Sequence, residues 1–328
     1  MKPYPVVAAK DLPVTPPDKL WLVESLWGRE AVGFIGGEPK CGKSLLALEI
    51  AVSVASGRRC LGEFEVHKQG PVLYFAAEDA LDTVGSRLAA LCDAAGIKAA
   101  DLPLKLIDQP MIRLDVEGDC ARLAKTIERE KPVLLILDPF VRLHRGDENA
   151  SRVIVPLLAF LRELQRKYHC AVLIVHHFRK GADKRRGGQA LRGSGDFHAW
   201  VDSALYLRRE GDMLRLTAEH RRGRAPDGLT LSFVPGNTPA AVTLAIHEEE
   251  EETLTQQTEA EDVRVERVLA ALAAQPEPVS LRALRSAAHV KTEWLSACLN
   301  ALAEEGRVAH TRLGWVLVKQ EPAEPGDA

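Results

Sequence analysis

Residues 37–44 read Gly-Glu-Pro-Lys-Cys-Gly-Lys-Ser, the spacing G-x-x-x-x-G-K-S, and no other stretch of the chain constrains its fold as tightly. Two glycines five positions apart let a loop close so that backbone N–H groups point inward, toward a bound oxyanion. Such a loop works between a strand and a helix, because the helix N-terminus adds its partial positive charge to the cradle. Both flanks comply: Ala31–Gly36 is an apolar run of strand length, and Ser44–Ser56 is apolar nearly all round and stopped by Gly57. The loop predicts nucleotide binding by Gly37, Glu38, Pro39, Lys40, Cys41, Gly42, Lys43, Ser44 and Leu45. Lys43 is expected to bridge the outer phosphates of ATP, and the Ser44 hydroxyl to hold Mg²⁺.

The rest of residues 18–246 alternates short apolar runs with amphipathic stretches. Strands are expected at Val72–Ala77, Leu104–Ile107, Val133–Leu137 and Ala171–Val175, and helices at Leu81–Ala95, Asp119–Glu130 and Arg152–Tyr168. Strands that are apolar throughout and separated by helices indicate a parallel sheet covered on both faces. From Ser203 the runs shorten to Ala204–Leu207, Met213–Thr217, Leu229–Phe233 and Ala241–Ile246, which predicts an antiparallel extension. The fold class is α/β.

Carboxylates stand where such a sheet binds ligands, at the C-terminal ends of its strands. Asp138 ends the run Val133–Leu137 and reads as the Mg²⁺ aspartate, which together with the loop fixes a P-loop NTPase. The neighbouring run ends in Glu78-Asp79; Glu78 is expected to polarise the attacking water, while Asp79 and Asp82 cap and charge the next helix. His176-His177 follow the run Ala171–Val175. Neighbours on extended chain point to opposite sides and no third ligand accompanies them, so a γ-phosphate sensor is favoured over a metal site. His220-Arg221-Arg222-Gly-Arg224 closes the strand pair 204–218, as solvated surface or as an arginine that reaches the nucleotide of an adjacent subunit.

These residues resemble the RecA-like hexameric ATPases, most closely the plasmid replicative helicases of the RepA type and more distantly DnaB. The resemblance spans about residues 18–246 and rests on GEPKCGKS, the AAED strand end, LLILDPF, His-His-x-x-Lys at 176–180 and Ala190–Ser194. It implies a ring of six subunits with ATP at their boundaries, Glu78 as catalytic glutamate, His177 or His176 as sensor, and Arg221 as the finger entering the neighbouring site. The chain departs from DnaB-like sequences in having Glu219 where those place a lysine two positions before the arginine, leaving the finger among Arg221, Arg222 and Arg224.

Lys180, Lys184, Arg185, Arg186 and Arg192 lie in a glycine-containing stretch at the same sheet edge, suited to tracking the backbone of single-stranded DNA. After residue 247 acids outnumber bases 16 to 8, and before it bases outnumber acids 35 to 30. The acids concentrate in HEEEEETLTQQTEAED, an expected linker at 247–262. Residues 1–17 read as an irregular proline-rich arm, 263–319 as three helices and a hairpin resembling a winged helix, and 320–328 as a disordered tail. The third of those helices carries Glu293, Glu304 and Glu305 and no arginine, so docking to a protein competes with duplex DNA as its role. Six scattered cysteines offer neither disulfide framework nor zinc set, and no apolar run approaches membrane length, which makes a cytoplasmic setting the expectation. Two functions follow: a ring helicase that moves on single-stranded DNA, or a regulatory ATPase of KaiC type that does not unwind.

Overall fold

A computed structural model describes residues 3–16, 19–148, 150–177, 194–236, 241–247, 265–275, 278–288, 292–311 and 314–318. The chain divides into two compact units, Met1–His247 and Glu248–Ala328.

In the first unit the described residues form a nine-stranded sheet. Its parallel part comprises β3 (Val32–Gly37), β4 (Val72–Ala76), β5 (Leu104–Leu106), β6 (Leu134–Asp138), β7 (Ala171–His177) and β8 (Ser203–Glu210). The antiparallel part adds β9 (Met213–His220), β10 (Leu229–Pro235) and β11 (Val242–Ile246), in the order β11-β10-β9-β8-β3-β7-β6-β4-β5. A small separate pair, β1 (Trp21–Val23) with β2 (Trp27–Gly28), was not expected as strands.

Alternate strand residues feed two apolar layers, which is why these strands read as continuous apolar runs. Ile35, Leu134 and Ile136 pack with α1 (Lys43–Ser56) and α2 (Leu81–Ala95) on one face. Phe34, Leu135 and Leu137 pack with α3 (Glu117–Glu130), α4 (Ser151–Tyr168) and α5 (Ser194–Trp200) on the other. Helix α5 escaped the sequence reading; it supplies the fully buried Phe197, set edge-on to Phe34 and Phe140.

The second unit holds a helix at 265–273 (α6), α7 (Leu281–Ala288), α8 (Thr292–Glu304) and a hairpin of β12 (Val308–Thr311) with β13 (Gly314–Leu317). Ser280 caps α7 through the Ala283 N–H at 3.3 Å. Leu284, Leu295, Leu299 and Leu302 form its core. Among the described residues no helix is long and apolar enough to cross a membrane.

Candidate active site

Strand β3 delivers Gly37 to the end of the sheet, and the chain turns back through 38–42 into α1. The turn needs left-handed backbone at Lys40 (φ 62°) and at Gly42 (φ 87°), the residue capping α1. Gly42 serves a second purpose: a Cβ there would stand 3.1 Å from the Phe233 ring. A Cβ on Gly37 would meet the Leu207 carbonyl at 2.4 Å, and one on Gly33 the Ser203 carbonyl at 1.7 Å, so β3 approaches β8 this closely only because both strand glycines lack side chains.

The loop opens a cleft of about 580 Å³ lined by Lys43, Ser44, Glu78, Asp138, His177 and Phe233, among others. Lys43 is buried; its ammonium donates to the Glu38 carbonyl, and burial pulls its pKa down against the opposing pull of Cys41 and Asp138. Asp138 ends β6, also buried. Its carboxylate accepts a 2.7 Å hydrogen bond from the Tyr74 hydroxyl and another from Ser44. Burial pushes the Asp138 pKa up, and those two donors work against it. Burial likewise raises the Cys41 thiol, which donates to the Leu207 carbonyl. The Ser44 hydroxyl and the Asp138 carboxylate stand together as hard oxygen donors, a set that fits Mg²⁺ beside the phosphate loop.

Glu78 and Asp79 follow β4 and both line the cleft. Glu78 is exposed and accepts a 2.7 Å charge-assisted bond from Arg142, which lies just past Asp138-Pro139. Asp79 does not cap α2: Ala80 holds that position without a side-chain bond, and the Asp79 carboxylate pairs instead with Arg87 at 2.5 Å. Asp82 does sit in the first turn of α2, where it accepts from the Thr83 N–H.

The two histidines part as extended neighbours must. His177 lines the cleft. His176 turns into the opposite layer, 1% exposed, stacked on Phe140 and 3.8 Å from Glu148. Phe233 of β10 and Val242 of β11 also line the cleft, with the Arg209 guanidinium 6.0 Å above the Phe233 ring centre. Sequence reading missed both; the only signal was the alternation Leu229, Leu231, Phe233 that turns one face of β10 inward.

Arg221 is not brought to this cleft. It follows β9, whose His220 pairs with Ser203 at the start of β8, so it stands at the edge where β3 begins. Six residues of β3 separate that edge from the phosphate loop, roughly 17 Å at the usual rise. A second cleft of about 780 Å³ opens there, lined by Arg29, Arg162, Arg166, Asp202, Arg221 and Arg222, among others. Lys180, Lys184, Arg185, Arg186 and Arg192 lie outside the described residues.

The family described as "AAA domain" matches residues 2–183 of the chain, more than half of it. Among solved structures, a DnaB-like replicative helicase, described together with its interactions with primase, is similar at 16% identity and a TM-score of 0.51. That match covers 66% of this chain and 57% of the helicase chain, so this chain spans little more than half the helicase's length. The RadB recombinase is 18% identical over 66% of this chain and 90% of its own, with a TM-score of 0.47. At 16% identity the likeness to the helicase is one of fold.

Proposed function

This chain belongs to the AAA domain family and shares its fold with a DnaB-like replicative helicase; from that premise we propose that it is a RecA-like P-loop ATPase that hydrolyses ATP as a ring, hexameric in form, and moves along single-stranded DNA. The observation that carries the reading is the convergence of Lys43, Ser44, Glu78, Asp138 and His177 on one cleft at the C-terminal end of the parallel strands.

The backbone N–H groups of 38–44 and the N-terminus of α1 bind the phosphates, with Lys43 on the outer ones. Ser44 and Asp138 hold Mg²⁺, which when bound supplies charge neutralisation on the phosphate oxygens. Glu78 accepts the proton of the attacking water, after exchanging Arg142 for that water. His177 donates to the γ-phosphate, and Phe233 takes the base on its face. Arg221, too far from its own cleft, serves the nucleotide of the adjacent copy. The basic stretch with Lys180, Lys184, Arg185, Arg186 and Arg192 starts three residues after His177, so a change at the γ-phosphate has a short covalent path to the DNA-tracking residues. Residues 263–319 act as a winged helix that docks a partner protein or duplex DNA.

The test is the steady-state ATPase rate with and without single-stranded DNA, alongside the mass in solution with ATP. Stimulation by DNA with a ring-sized mass supports the reading; turnover indifferent to DNA replaces it with the regulatory ATPase. Mixing Lys43→Ala chains with Arg221→Ala chains tests action between copies. Each alone is expected to be inactive, and the mixture to regain turnover.

A further inference from the structure

Arg221 is half-exposed, yet its guanidinium is not free to wander. Its Nη1 lies 3.3 Å from Asp202 Oδ1 and its Nη2 donates to the Ala199 carbonyl at 2.6 Å. Its backbone N–H donates to the Asp202 carbonyl at 2.8 Å, so residue 202 fixes both ends of residue 221. Asp202 is itself held on three sides. Its N–H donates to the Val32 carbonyl at 2.8 Å, its Oδ2 accepts from the Val32 N–H at 3.3 Å, and Arg162 of α4 grips both carboxylate oxygens. Arg162 in turn donates to the Trp200 carbonyl and lies 6.0 Å from the Trp200 ring centre. Among the described residues no ion pair engages Arg222 or Arg224 in this way.

A planar fork matched to a carboxylate fixes geometry as well as charge. The order of the contacts runs from the packed to the exposed: α4 fixes Arg162, Arg162 fixes Asp202, and Asp202 fixes Arg221. We propose that Asp202, clamped by Arg162, is the positioning residue for Arg221, holding its guanidinium pre-aimed out of the sheet edge so that a nucleotide on a second copy of this chain meets an ordered donor. Asp202 touches no nucleotide in this scheme and acts only through Arg221. An ordered cation at the site of developing charge needs no reorganisation during the reaction, and this is where rate is gained. The inference rests on Arg221 acting between copies, and it singles out Arg221 from Arg222 and Arg224.

The experiment is a double-mutant cycle on the full chain, reading kcat and KM for ATP, the mass with ATP and the melting temperature. Arg221→Ala is expected to lower kcat on the order of 10³-fold, as loss of a finger does. Asp202→Asn, which keeps an acceptor for the Val32 N–H, is expected to lower kcat about tenfold with KM within about twofold, a loss set by misplacement and not by binding. In the Arg221→Ala background it should change kcat no further. Arg162→Lys, which keeps the charge and loses the fork, should lower kcat by a smaller factor in the same direction, and it carries the test if Asp202→Asn melts early. Effects of Asp202→Asn and Arg221→Ala that multiply, or an Asp202→Asn enzyme as fast as or faster than the native one, overturn the clamp. Full turnover in Arg221→Ala overturns it too, and assigns the failure to the between-copies reading beneath it.

Discussion

The two edges of the central sheet carry opposite kinds of site. At the C-terminal edge most of the charged groups come from one loop, 37–45, and from the residues that end or follow β4, β6 and β7, with Phe233 and Val242 added from β10 and β11. At the N-terminal edge the clamp on Arg221 draws on residues 162, 199, 202 and 221, no two of them adjacent. The electrostatics differ as well. Lys43 and Asp138 are buried, and burial moves each toward its neutral form, the lysine downward and the aspartate upward. The cleft thus holds charge against a desolvation penalty, which a polyanion with its cation relieves. The Arg162–Asp202 pair is part-buried, while Arg221 on its outer side is half-exposed, where an ion pair contributes little energy. One edge is built to bind charge and the other to present it.

The contrast breaks most visibly at Lys43. Lys43→Ala is expected to lower turnover by about 10³-fold, the upper range for one lost electrostatic contact, while circular dichroism shows the fold retained. Native-like turnover would remove the phosphate site from the C-terminal edge. Glu78→Gln comes next, with a loss of about 10²-fold in kcat and unchanged nucleotide binding by titration, because the amide keeps the shape and cannot take the proton. Weakened binding with kcat intact would make Glu78 a ligand contact and not a base.

The same contrast explains what the sequence disclosed. The phosphate loop was legible because its chemistry lies in backbone geometry over eight consecutive residues, and the parallel sheet because its apolar runs are unbroken. Asp138 was legible from its position at a strand end. The Asp79 cap failed because a better partner, Arg87, stands two turns along α2, a fact of side-chain reach that spacing alone does not rank. Helix α5 hid because seven residues reading Ser-Gly-Asp-Phe-His-Ala-Trp carry too little periodicity, and tertiary burial of Phe197 stabilises it instead. Phe233 hid because only strand order places β10 near the loop; nothing along the chain says that residues 42 and 233 meet.

Phe233 gives the third expected effect. Loss of base stacking costs about 1–3 kcal/mol, so Phe233→Ala should raise KM for ATP about tenfold and leave kcat within twofold. The discrimination between ATP and inorganic tripolyphosphate in competition assays should narrow together with it. If KM for ATP holds, the base lies elsewhere and β10 belongs only to the packing of Gly42.

The smallest effect isolates how the buried edge tolerates its aspartate. Asp138 has its folded pKa raised above the ordinary 3.8, so its contribution to stability is fully present below that value and lost as pH rises through the folded value. Tyr74 limits the loss, because its 2.7 Å bond favours the ionised carboxylate, as does the charge of Lys43, while Asp79 works the other way. Tyr74→Phe removes that bond without changing the ring that packs in the core. The folded pKa of Asp138 then moves further up, and the decline in stability with rising pH becomes longer. Denaturant unfolding of the nucleotide-free protein, run from mildly acid to neutral pH, should show native and variant converging at the acid end. At neutral pH they should separate by about 1.5–3 kcal/mol, the size of a hydrogen bond to a charged group. A difference that stays constant with pH would mean the hydroxyl supports packing and not the charge, and would leave Ser44 and Lys43 as the groups that hold Asp138 ionised at this edge.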